Sequence, residues 1–113
     1  MTQKAANLKA LGQIAEMVLE ARLAELAGIS RTERQLCDQI RGLDEQSRSI
    51  LPDSPEVTDL ANAASWMRLR QDRKSRLNTQ LAALKADKEV ILQDARRALG
   101  RVQAISSLES LAK

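Results

Sequence analysis

Apolar residues recur alternately three and four positions apart from Leu60 to Ile105, through more than six heptads. The a and d positions are Leu60, Ala63, Met67, Arg70, Lys74, Leu77, Leu81, Leu84, Lys88, Ile91, Ala95, Ala98, Val102 and Ile105. Eleven of these 14 positions are apolar and three are basic, so the stripe is a seam rather than a chance clustering. A repeat of 3.5 residues predicts one long helix laid against another, because that spacing holds the stripe on a single side. The helix cannot cover the stripe itself, so its partner must come from elsewhere in the chain or from a second molecule.

The first half carries the same pattern. Its d positions are Met1, Leu8, Ala15, Arg22, Ile29, Leu36, Leu43 and Ile50, and its a positions are Ala5, Gly12, Leu19, Leu26, Glu33, Ile40 and Ser47. Eleven of the 15 are apolar, which matches the fit of the second half. Gly28 admits two readings. It could end one helix, with Ser30 capping the next and Glu33 completing a capping box. Alternatively the helix runs through it, because the heptad phase passes from Leu26 to Ile29 to Leu36 without slipping. A glycine inside a helix costs only about 1 kcal/mol relative to alanine. We favour the continuous helix.

The strongest punctuation is Leu51-Pro52-Asp53-Ser54-Pro55-Glu56. Pro52 drives Leu51 away from helical geometry, Asp53 or Ser54 can cap a new helix, and Pro55 suits a first turn whose N–H groups lack partners anyway. The expectation is therefore an all-α fold of one domain over residues 1–113. It comprises a helix over 2–50, a loop over 51–54 and a helix over 55–110. A short connection makes antiparallel neighbours, giving an antiparallel two-helix coiled-coil hairpin. Pairing the helices outward from the loop sets Leu43 near Leu60, Leu36 near Met67 and Leu26 near Leu77. It also sets Glu33 opposite Arg70, an acid against a base at core positions, which is predicted to fix the register.

Composition supports thin helical packing. The chain has no Phe, Tyr or His and one Trp, a poor inventory for a globular core but sufficient for a seam of Leu, Ile, Val and Ala. Lys and Arg number 18 against 15 Asp and Glu, a net charge of +3 that is mixed rather than one-sided. With no aromatic stacking platform and no strongly basic arm, nucleic-acid binding is not expected. The single cysteine, Cys37, excludes an internal disulfide and fits a reducing compartment, where it reads as an inert residue beside the seam. No apolar run reaches the roughly 20 residues needed to span a bilayer. Glu16 and Glu20 fall where a signal peptide would be apolar, so a cytoplasmic protein without direct membrane insertion is expected.

Catalysis is not expected either. Without histidine there is no ordinary general base near neutrality and no His-containing metal site. Glycines stand scattered at 12, 28, 42 and 100, so no phosphate-cradling loop forms. No cofactor is expected.

Two surface features point to partners instead. Beside the termini, helix one adds Leu11, Ile14, Val18 and Leu23 to its seam, and helix two adds Val90, Leu92, Leu99, Leu108 and Leu111. This is more apolar surface than one partner helix covers, and exposed apolar patches mark interfaces. Nearer the loop, Trp66 to Arg76 holds five basic residues. Arg70 and Lys74 sit at seam positions, Arg68 and Arg76 on an outer face, and Arg73 at the flank. A charge run is ordinarily a solvated face, and Arg pairing with a partner's carboxylates is the functional alternative. Trp66 is expected to fold over the seam, with an exposed interface anchor as the other reading.

The stretches Trp66–Asp72, Leu77–Glu89 and Ala95–Leu108, rich in Ala, Leu, Arg and Gln and closing with arginines before an apolar end, resemble the second helix of a known family. The chain is similar to the FliJ stalk proteins of flagellar export and their YscO-type relatives in type III secretion. The resemblance implies a non-enzymatic cytoplasmic stalk seated in the export ATPase hexamer, peripheral to the membrane export apparatus. It further implies contacts with the export gate protein and with export chaperones. Two other classes stay open on the residues alone. One is a small helical export chaperone. The other is a coiled-coil scaffold that self-associates through its apolar end.

Overall fold

The computed structural model describes residues 2–48 and 57–112, with side chains from Gln3 to Gln46 and from Leu60 to Ala112. Two helices account for all of it, α1 over Thr2–Arg48 and α2 over Val57–Ala112. Both are built from Ala, Leu, Arg, Gln, Glu and Lys, which lose little side-chain freedom in a helix. α1 passes through Gly28 unbroken, and no glycine among the described residues has a positive φ. The seam on either side of Gly28 outweighs its local cost. The expected loop and its caps at Asp53, Ser54 and Pro55 lie outside the described residues.

The chain divides into two compact units, each taking a segment from both helices: Met1–Ser30 with Ala86–Lys113, and Arg31–Lys85. In the first, Gly12 lies against Ile105 and Glu109, while Val18 lines a groove with Ala98. Numbers that rise along α1 fall along α2, so the segments are antiparallel. In the second, Asp44 meets Lys74 and Gln39 lines a cavity with Leu77, again antiparallel. The chain is an all-α, two-helix antiparallel coiled-coil hairpin.

Burial follows the heptads. From Arg70 to Ile105 every a and d residue of α2 is buried or half-buried, and from Leu8 to Leu43 every a and d residue of α1 is half-buried. Among the described residues only Ala63, Leu77, Ala95 and Ala98 are buried, so the core is one side chain thick and three of its four best-covered members are alanines. Small residues let the helix axes approach closely, and their neighbours stay partly open to water. Cys37, beside the seam, is half-buried.

The register differs from the one expected. Pairing outward from a tight turn would put Asp44 level with Asp59, but Asp44 binds Lys74, about two heptads further along α2. Within the other unit Gly12 would have met Ile91, and it meets Ile105, a displacement of the same size. A slip of whole heptads returns a to a and d to d, so the apolar pattern alone fits either pairing. The observed register matches the terminal segments, with Ala5 and Ala112 lining one cavity. Toward the start of α2 the a residues Leu60 and Met67 are about half exposed, at 47% and 51%, while the d residue Ala63 between them is buried.

Candidate functional site

The expected Glu33–Arg70 contact does not form. With Asp44 opposite Lys74, Glu33 lies near the level of Leu84, roughly 20 Å along the axis from Arg70 at 1.5 Å per residue. An ion pair that does join the helices has Lys74 Nζ donating to Asp44 Oδ1 at 2.8 Å. Both side chains are one-third to one-half exposed, which keeps the interaction in the modest range of solvated pairs. Short-range ion pairs also form within each helix, such as Arg22 with Glu25 at 3.0 Å and Arg97 with Asp94 at 4.0 Å.

Two concave surfaces, one in each unit, carry several of the residues expected to meet partners. In the unit that holds the termini, a groove of about 300 Å³ is lined by Leu11, Ile14, Ala15, Val18, Ala98, Arg101, Ala104 and Ile105. Leu11 and Val18 occupy g positions of α1 and Ile14 a c position. In an antiparallel pair that flank faces the g and c positions of α2, which are Arg101 and Ala104. Large apolar side chains on α1 stand over alanines on α2, leaving a trough between them. Leu11, Ile14 and Val18 are exposed, as the surplus of apolar residues near the termini predicts.

Leu92 and Leu99 do not join this groove. Both are e residues and lie on the opposite flank of the seam, Leu92 half-buried and Leu99 exposed. The residues expected to form one apolar surface are thus divided between two. Heptad lettering carries the signal that separates them, and the lining residues Ala98, Ala104 and Arg101, unmarked by hydrophobicity, become visible by the same lettering.

The second surface is a cavity of about 370 Å³ lined by Leu43, Gln46, Trp66, Leu69, Arg70, Asp72, Arg73 and Arg76. Trp66 does not fold over the seam. It is 56% exposed and lines the cavity beside Leu43 and Gln46 of α1. The Arg70 guanidinium carbon sits 5.7 Å from the centre of the Trp66 ring, within cation–π range. Arg70 Nε and Nη1 are buried and have no hydrogen-bond partner. Trp66, Arg73 and Arg76 therefore come together around Arg70, while Arg68, a b residue, lies on the outer face away from the cavity. Lys74, at the adjacent a position, is already engaged by Asp44 on the other flank.

Among the described residues, no group of three or more His, Cys, Asp or Glu is placed to hold a metal ion. No described helix is long and apolar enough to cross a membrane. No family model, no curated protein and no solved structure matches the chain.

Proposed function

We propose that this protein is a non-enzymatic coupling stalk of a flagellar or type III protein export apparatus, binding the export ATPase ring and the export gate from the cytoplasmic side. The observation that carries the reading is the apolar groove of Leu11, Ile14 and Val18 over Ala98 and Ala104, which leaves a face of the paired terminal segments uncovered. A coiled coil whose seam is filled by its own two helices has no internal use for these side chains, and exposed apolar area of this kind favours a protein partner. The likeness of Trp66–Leu108 to the second helix of FliJ-type stalks supplies the identity of that partner. The antiparallel helix pair suits a stiff connector between an ATPase and a gate.

The deciding experiment mixes the purified chain with the export ATPase of the same organism and measures binding and ATP hydrolysis. Stimulation that is lost in a Leu11→Ser, Ile14→Ser double variant supports the stalk. Absence of both binding and stimulation rejects it. Light scattering on the chain alone reads the competing scaffold: a dimer abolished by the same double substitution assigns the groove to self-association.

A further inference from the structure

We propose that the cavity around Arg70 is a docking site for an acidic, apolar-flanked segment of a partner protein, with Arg70 and Arg73 receiving its carboxylates. The inference goes beyond the stalk proposal and does not rest on it.

The first observation is the state of Arg70. Two of its guanidinium nitrogens are shielded from water and bonded to nothing. Buried polar groups are ordinarily satisfied, and an unsatisfied cation is the costliest exception. The Trp66 ring at 5.7 Å compensates the charge in part, but a ring face accepts no conventional hydrogen bond. Arg70 lines the cavity, so a carboxylate seated there would face a cation that has already lost much of its hydration, which is the condition under which charges attract most strongly.

The second observation is the charge around it. Arg70, Arg73 and Arg76 line the cavity with Asp72 as the one acid, and no described carboxylate forms an ion pair with these arginines. The arginines recur every three residues, about 4.5 Å apart along the axis, which matches Glu residues spaced i, i+3 on a partner helix. The third observation is the apolar remainder. Leu43, Leu69 and the exposed Trp66 complete the wall, so the site fits an aliphatic side chain beside the acids. An aromatic anchor next to arginines is the composition that dominates protein interfaces. Nucleic acid fits less well, because one tryptophan gives no succession of stacking faces.

Trp66 is the chain's only tryptophan, so its fluorescence reports the site directly. The test titrates the full chain with a blocked amphipathic peptide of Leu, Ala and Glu, and with its counterpart carrying Lys for Glu. The expected result is a saturable change in Trp66 emission with the acidic peptide alone, confirmed by anisotropy of the labelled peptide. Arg70→Gln should weaken the binding by roughly tenfold, the scale of one charged hydrogen bond. Arg68→Gln removes the same charge on the outer face and should leave the affinity within about twofold. Circular dichroism checks folding, and Arg73→Gln, at an exposed position, stands in should Arg70→Gln unfold the helix pair. The proposal is overturned by no saturable signal, by equal losses in the Arg68 and Arg70 variants, or by a single-stranded oligonucleotide binding more tightly than the acidic peptide.

Discussion

Lys74 Nζ reaches Asp44 Oδ1 at 2.8 Å, joining an a residue of α2 to an e residue of α1. The pair sits where the two-heptad displacement of the helices puts it, and it separates the observed register from the alternative. Solvated pairs of this kind couple by about 0.5–1 kcal/mol. Reversing Asp44→Lys alone should destabilise the chain in urea, and adding Lys74→Asp should recover about 0.5 kcal/mol. The matching cycle at Glu33 and Arg70 should give a coupling near zero, because residues so far apart act independently. Recovery at Glu33 and Arg70 with none at Asp44 and Lys74 would restore the end-matched pairing.

The register can also be locked covalently. A Cβ at residue 12 would stand 3.5 Å from the Ile105 Cγ2 methyl, so side chains at these two positions face each other closely. With Cys37→Ser as background, Gly12→Cys with Ile105→Cys should oxidise to an intramolecular crosslink visible by non-reducing electrophoresis. Gly12→Cys with Ile91→Cys should not. The reverse outcome contradicts the fold described here.

Leu77 is the one large side chain among the buried described residues, at 8% exposure. Leu77→Ala should cost about 2–3 kcal/mol, the lower part of the range for leucine truncation, because the surrounding seam is half open and can relax. For a chain of this size that lowers Tm by on the order of 10 °C. A loss under about 0.5 kcal/mol would mean that Leu77 is not a seam residue.

Gly42 and Gly100 sit within helices with ordinary φ, and a Cβ added at either meets nothing within 4 Å. Replacing each by alanine should stabilise the chain by about 0.5–1 kcal/mol, through reduced freedom of the unfolded state and better helix propensity. At Gly12 the added Cβ would stand 2.9 Å from Glu109 Oε1, the end of a flexible side chain that can swing aside. Gly12→Ala should therefore gain less than the other two. Thermal melts of the three single variants rank them, and a lower Tm for Gly42→Ala or Gly100→Ala would contradict the open space around those positions.

The periodicity of apolar residues determined the helices, the seam and its composition. Continuity through Gly28 was legible because phase is preserved from Leu26 to Leu36. The surplus of apolar residues beside the termini was legible as well, since two seams leave Leu11, Ile14 and Val18 without a place inside. Only the tertiary structure decided which heptad faces which. A coiled-coil stripe looks the same after a shift of seven residues, so pattern energy is nearly degenerate between registers. Long-range choices, such as small residues opposite large ones and Asp44 opposite Lys74, break the tie. That choice moved Glu33 away from Arg70, and two Arg70 nitrogens are left without hydrogen-bond partners, neither of which a one-dimensional pattern encodes.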